Sequence, residues 1–381
     1  MNILVCGDPH FKKDNLPIME LMVNDFIGLI EERKPDLCVV LGDTLHDHAN
    51  ITVRPLCMAI DFFEQIAKLC QLVVLIGNHD RENNSDFCTD IHPFNGLKSN
   101  PRIKIVDTTY WDQENNFIFV PYVPNGKFNQ ALSLVDYDPT IKPTKDSKVP
   151  TLIFSHQEFK GCQLSVNKYS ETGDTWDKNL PQIVSGHIHE YQILPHVIYV
   201  GTPTSTNYGE SNDKKVMFLH LDPAEDSEES NKGPWSFDPG TWIKRVQLKS
   251  FCSRTTLVFN QREIKSGACF KKIPKNSITA SEMTKGQVGT LVRVIIEVKV
   301  DHEKALKESI NYKSLLKQVD QVKIKYDRSE DHDQTVVGKV KKIIDNDISK
   351  QGQIPSLIEV AGKLLADDPI AQKIYYEEII N

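Results

Sequence analysis

Five short apolar runs in this chain each stop at a glycine or serine and hand over to acidic, amide or imidazole side chains. NILVC gives way to Gly7-Asp8-Pro9-His10, DLCVVL to Gly42-Asp43, and LVVLI to Gly77-Asn78-His79-Asp80; TLIFS ends in His156, and QIVS leads to Gly186-His187-Ile188-His189. Runs this short and this rich in β-branched residues read as fully buried strands, not helices. Strands buried on both faces belong to a sheet covered on both sides, and in such sheets ligands bind beyond the carboxyl ends of the strands. The pattern therefore restricts the fold and places the chemistry at once.

The segments between the first runs carry apolar residues at helical spacing, IMELMVNDFIGLIEER over 18–33 and RPLCMAIDFFEQIAKLC over 54–70. Strand, helix, strand, helix, strand predicts a parallel sheet with crossover helices. After Pro101 the pattern turns strand-rich, with RIKIVD, NFIFVPYV, TLIFSH, QIVSGH, VIYVGT and KVMFLHLD. The expected fold class is α/β, with a layered first domain over 1–221. Residues 222–240, DPAEDSEESNKGPWSFDPG, form an acidic linker rich in Ser, Pro and Gly. TWIKRVQL (241–248) and GTLVRVIIEVKV (289–300) read as strands of a small α+β cap domain over 241–337. The tail, 338–381, carries two helical patterns, with Leu357, Ile358, Ala361, Leu364 and Leu365 on one face for docking on its own domain or on a partner.

Composition narrows the function. No uncharged apolar stretch approaches the roughly 18 residues of a membrane span, and MNILVCGDPH enters a strand without a basic leader, so an intracellular protein off the membrane is expected. The 8 cysteines are scattered with no CxxC pair, which argues against a disulfide frame or a thiolate zinc site. Residues 1–248 carry a net charge of −12 and residues 249–381 one of +5. An acidic first part repels a polyanion unless bound cations offset its carboxylates.

Asp8, His10, Asp43, Asn78, His156, His187 and His189 would crowd together beyond the strand ends. Buried carboxylates and imidazoles so placed are costly unless something positive binds among them. A structural zinc takes four ligands, often thiolates, whereas these donors are oxygens and nitrogens and more numerous. Two divalent cations sharing a carboxylate, about 3.5–4 Å apart as in phosphoryl hydrolases, fit better. His79 is left over as a general acid for the leaving oxygen, with Asp80 expected to fix its tautomer.

The ordered set D-x-H, G-D, G-N-H-[DE], H and G-H-x-H resembles the calcineurin-like metallophosphoesterases, matched here by DPH, GD, GNHD, H and GHIH. The resemblance implies an α/β/β/α sandwich. It also implies one metal on Asp8, His10, Asp43 and His189 and another on Asp43, Asn78, His156 and His187, with Asp43 bridging, His79 catalytic and manganese the metal.

Three longer stretches, GDTLHDHANIT, SHQEFKG and GHIHEYQILPHVIYVGTPTSTNYGE, look like the nuclease subunit of double-strand-break repair complexes, the SbcD type, which includes a meiotic recombination nuclease and large-phage recombination endonuclease subunits. That implies a metal-dependent exonuclease and endonuclease acting in DNA repair and recombination. It further implies a cap that orients DNA, a C-terminal segment gripping an SMC-like ABC-type ATPase, and a homodimer through the helices at 18–33 and 54–70. His46 and His48 would lie near DNA phosphates, and Arg81 and Lys160 follow two of the motifs. Lys12, Lys13, Arg245, Lys249, Arg254, Lys271 and Lys272 are further cations that a nucleic acid could meet. The alternative is a small-molecule or cyclic-nucleotide phosphodiesterase on the same dinuclear site. A protein phosphatase is disfavoured because GDTLHDH and GNHD replace its G-D-x-V-D-R-G and G-N-H-E signatures, and a non-enzymatic scaffold would have no need of His79.

Overall fold

The computed structural model describes residues 1–140, 149–223, 235–236, 241–283, 285, 287–299 and 302–326. The chain divides into two compact units, the first comprising Met1–Thr256, Pro274–Arg293 and Gln318–Asp320.

In the first unit β1 (Asn2–Cys6), β2 (Leu37–Val40), β3 (Gln71–Leu75) and β4 (Ile103–Val106) lie side by side in parallel. Helix α1 (Leu16–Arg33) joins β1 to β2, and α2 (Val53–Leu69) joins β2 to β3. A second sheet draws on β5 (Tyr110–Asp112), β6 (Phe117–Val120), β7 (Leu152–His156), β10 (Gln182–Gly186), β11 (Gln192–Leu194) and β12 (Val197–Tyr199), in the order β11-β12-β10-β7-β6-β5. Helix α3 (Phe128–Ser133) falls between β6 and β7, and β8 (Gln163–Ser165) and β9 (Lys168–Tyr169) pair as a separate hairpin. β13 (Val216–His220) then returns to the first sheet antiparallel to β1. After the short ribbon of β14 (Asp222–Pro223) and β15 (Trp235–Ser236), β16 (Ile243–Val246) pairs antiparallel with β13. TWIKRVQL thus supplies the edge of the first sheet, and the first unit extends past residue 221.

Strand periodicity explains the layering. Ile3 and Val5 turn one way, with Val39 and Leu75, into a core shared with Phe117, Phe119, Phe154 and Val184 of the second sheet. Leu4, Cys6, Cys38, Val40 and Val74 turn the other way, onto Met22 and Phe26 of α1 and Phe62, Phe63 and Ile66 of α2. Behind the second sheet, Ile118, Ile153 and Ile183 pack on Phe128 and Leu132 of α3. These are the α/β/β/α layers that the continuous apolar strands demand.

β17 (Ser253–Asn260), α4 (Gln261–Ser266), β18 (Ser277–Ile278), α5 (Ala280–Met283), β19 (Thr290–Val298), α6 (Glu303–Glu308), α7 (Ile310–Leu315) and β20 (Gln321–Tyr326) complete the described elements. Part of this stretch belongs to the first unit, where Ile278, Met283, Leu291 and Cys252 bury against Ile18 and Leu21 of α1. The second unit, Leu257–Ile273, Val294–Lys317 and the residues from Gln321 onward, holds α4, α6, α7 and β20. The two helical patterns expected over 338–381 lie outside the described residues, as does most of 222–240. All 8 cysteines are free, and no helix among the described residues is long and apolar enough to cross a membrane.

Candidate active site

Asp8 and His10 follow β1, Asp43 follows β2, Asn78 and His79 follow β3, His156 ends β7, and His187 and His189 follow β10. Because the two sheets pack face to face, these ends converge on one place. The His156 Nδ1 donates to the Leu41 carbonyl at 2.6 Å, and its Nε2 lies 3.0 Å from Asn78 Oδ1. His187 Nδ1 reaches the same Asn78 oxygen at 2.9 Å, while His10 Nε2 and His189 Nε2 face each other at 2.8 Å. Asp43 stands between the two groups. Its Oδ1 is 3.3 Å from His156 Nε2, and its Oδ2 is 3.8 Å from His10 Nε2. All seven sequence-predicted donors are thereby brought together.

The backbone is bent to achieve this. His10, Asp43 and His187 adopt left-handed φ values of 53°, 46° and 78°, which a non-glycine residue holds at a cost of about 1 kcal/mol or more each. Gly77 makes room for Asp43, since a Cβ there would lie 2.2 Å from the Asp43 nitrogen and 2.3 Å from its Oδ1. Replacing Gly77 by alanine is therefore expected to destabilise the metal-free protein by about 1–3 kcal/mol, the usual cost of overpacking, as read by denaturant unfolding. An unfolding midpoint equal to that of the natural chain would show that the loop relaxes freely.

Electrostatics set the protonation of the cluster. Burial pushes the Asp8 carboxyl up, against the opposing pull of His156. Burial also opposes the charge on Asp43, but the coulombic and hydrogen-bonding attraction of His156, with His10 and His79 adding to it, outweighs burial and holds Asp43 well below the usual range. His156 is raised to about 9: burial lowers it, and Asp43 more than compensates. Burial pushes His10 well down, and burial with the nearby His156 pushes His187 down to about 3, so both rings present lone pairs. Both Asp8 oxygens are buried and lack a hydrogen-bond partner.

A buried carboxylate whose oxygens find no side-chain donor, in a cluster where His10 and His187 are held neutral, suits a divalent cation with mixed oxygen and nitrogen preference. The ligand atoms of Asp8, His10 and His189 lie within 4.8 Å of one another, and so do those of Asp43, His156 and His187. His10, His46 and His79 form a third such group.

His79 is held differently from the sequence expectation. Its Nδ1 donates to the His46 carbonyl at 2.5 Å, so a main-chain oxygen, not Asp80, fixes its tautomer. Asp80 is buried and accepts from the backbone N–H groups of Leu45 (2.9 Å), Gly77 (3.0 Å) and Thr44 (3.2 Å), pinning the loops after β2 and β3 to each other. Burial and the nearby Asp43 push its carboxyl up to about 6 against those hydrogen bonds. The His79 Nε2 is turned toward Asp43 Oδ2, 4.0 Å away.

Of the residues expected beside DNA, His48 stacks on His79 with ring centres 4.0 Å apart and His46 stacks at 5.7 Å. Lys160 is exposed. Arg81 lines the cavity that holds His48 and His79, yet its guanidinium is already engaged. It is buried, its guanidinium donates to the carbonyls of Tyr122 (3.0 Å) and Asp86, and it braces the loop instead of meeting solvent. Arg245 is likewise committed, paired with Asp213 at 2.6 Å and stacked 3.6 Å from the centre of the Tyr191 ring. Sequence reasoning missed Glu210, whose Oε1 lies 3.2 Å from His189 Nδ1; it sat in the quoted stretch GTPTSTNYGE but carried no spacing signal linking it to a histidine 21 positions earlier.

A layered α/β/β/α unit with carboxylates and imidazoles clustered beyond its strand ends is that of a metal-dependent hydrolase. The chain belongs to the calcineurin-like phosphoesterase family, whose pattern matches residues 1–191 and whose members bind two divalent metals. It is 37% identical over 229 residues to a protein named as a phosphoesterase, 244L of Invertebrate iridescent virus 6, an alignment covering 59% of this chain and 78% of that one. It is 35% identical over 222 residues to 078R of Invertebrate iridescent virus 3, also named as a phosphoesterase, covering 58% of this chain and 62% of the relative. Among solved structures, Yfce, a phosphoesterase from E. coli, aligns over 58% of this chain and 88% of its own at 12% identity with a TM-score of 0.27, too low to bear on the fold.

Proposed function

We propose that this metallophosphoesterase is a DNA nuclease subunit, hydrolysing phosphodiesters as exonuclease and endonuclease in repair or recombination. The observation that supports a diester substrate is that two cavities reach this part of the molecule, one at His79 and another at His187 and His189. The first, of about 330 Å³, is lined by His48, Ile51, His79 and Ile91. The second, of about 780 Å³, is lined by Val166, His187, His189 and Tyr191. A phosphodiester carries two ester substituents and needs room for both, whereas a monoester needs room for one.

The residues that would hold the metals are Asp8, His10, Asp43 and His189 for one and Asp43, Asn78, His156 and His187 for the other, with manganese suited to these donors. When bound, the cations supply Lewis acidity toward the phosphate and a nucleophile at neutral pH. His79, with Nδ1–H committed to the His46 carbonyl, acts as an imidazolium that gives its Nε2 proton to the leaving oxygen and is left as the neutral Nδ1–H tautomer. His46, His48 and Lys160 meet the DNA beside the centre. Residues 338–381 dock on an SMC-like ATPase, and α1 and α2 form the homodimer contact.

The test is cleavage of linear duplex DNA, single-stranded DNA and bis-p-nitrophenyl phosphate, with manganese and with chelator. Manganese-dependent cleavage of DNA that chelator abolishes is expected. Turnover of the small diester with DNA untouched, also in the presence of a candidate ATPase, would replace the nuclease reading with that of a small-molecule phosphodiesterase.

A further inference from the structure

We propose that Glu210 is the positioning residue of His189, setting the tautomer and donor strength of that ring and hence the affinity of one of the two metal positions. The inference rests on the metal-centre reading above and assigns a role to GTPTSTNYGE, the stretch that reading leaves unused. Glu210 Oε1 lies 3.2 Å from His189 Nδ1, and the carboxylate is only 8% exposed. A carboxylate only accepts, so the His189 Nδ1 must carry the hydrogen. Its Nε2 is then left as a lone pair facing the centre, 2.8 Å from His10 Nε2.

The carboxylate is itself held fast. It accepts from the Thr206 N–H at 3.0 Å, the Thr206 hydroxyl and Asn207 Nδ2 at 2.7 Å, and it pairs with the buried Lys214 Nζ at 3.2 Å. Lys214 in turn donates to the His189 carbonyl at 2.8 Å, so one Glu–Lys pair grips both the ring and the backbone of this histidine.

The other histidines of the centre are supported differently. His156 gives its Nδ1–H to a main-chain carbonyl, and His187 has a carboxylate, Glu158, only at 3.9 Å, beyond hydrogen-bond reach. Among the described residues His189 alone in this centre has a ring nitrogen hydrogen-bonded to a glutamate. A charged acceptor behind a ligating imidazole orients it and raises its basicity, and losing such a partner typically weakens metal binding 10–100-fold.

The experiment is calorimetric titration of the metal-free full chain with Mn²⁺, comparing the natural protein with Glu210→Gln and Thr206→Val. Glutamine keeps the shape and an accepting oxygen but removes the charge. One of two manganese affinities is expected to fall roughly 10–100-fold while the other holds, and hydrolysis at low manganese falls but is restored by excess metal. Thr206→Val removes a different partner of the same carboxylate and leaves the His189 contact in place, so both affinities should stay near those of the natural protein. Unchanged binding in Glu210→Gln would overturn the proposal. Equal weakening in Thr206→Val would also overturn it, reducing Glu210 to a brace of the loop. Should the natural chain bind fewer than two ions, the metal-centre reading fails first, and that titration alone reveals it.

Discussion

Replacing Asp43 by alanine is expected to empty both metal positions together and to lower phosphodiester hydrolysis by roughly 10³-fold or more, at least the scale of removing a principal charge-stabilising group. The expectation comes from the two ends of one carboxylate. Oδ1 faces His156 at 3.3 Å, in the cluster completed by His187, and Oδ2 faces His10 at 3.8 Å, in the cluster completed by Asp8 and His189. Asp8 belongs to one cluster only, so Asp8→Ala should lose one ion and keep the other. Asp43 also pairs with buried His156 at 3.3 Å, and its removal leaves only Asp8, at 3.7 Å, as a carboxylate beside that ring, a loss of up to about 3–5 kcal/mol in the metal-free protein. Asp43→Asn keeps the shape and loses the charge, so it controls for the space left by truncation and not for the lost ion pair. Metal content by plasma mass spectrometry decides the matter: two ions still bound in either Asp43 variant would refute a bridging role.

The strand ends were legible because their signal is local and physically forced. A run such as LVVLI must be buried, a glycine must end it, and Asn78 and His79 have nowhere to go but the rim of the sheet. Contacts that close over long separations left no such trace. Asp80 is next to His79 in sequence, yet its carboxylate turns to the backbone of Thr44 and Leu45, because the buried N–H groups of a tight loop need an acceptor more than the imidazole does. Arg81 shows the same limit from the side of charge. A cation after a motif suggests a phosphate contact, but two main-chain carbonyls claim it for the interior. An acidic, turn-rich stretch before β16 reads as a domain linker and points that strand to the cap, whereas the open edge of β13 offers it a ladder to complete. Glu210 carries no periodicity and no motif spacing, and only the return of its loop onto His189 reveals it.

His79→Ala is expected to keep both metals and the fold while slowing DNA cleavage about 10²–10⁴-fold, the range of a lost general acid. The ring lies outside the strands' cores, with its side chain 25% exposed, and among the described residues its side-chain hydrogen bond goes to the His46 carbonyl, so its removal disturbs little of the scaffold. The same variant should lose much less against bis-p-nitrophenyl phosphate. A deoxyribose alkoxide is a poor leaving group that needs a proton as the P–O bond breaks, whereas p-nitrophenolate departs as a stable anion without one. The ratio of the two losses therefore reports what His79 does, independently of how well the metals bind. A large loss confined to DNA supports proton donation from Nε2. Equal losses on both substrates would mean that His79 stabilises charge on the phosphate itself, a role open to a ring whose Nε2 points toward Asp43 at the middle of the centre.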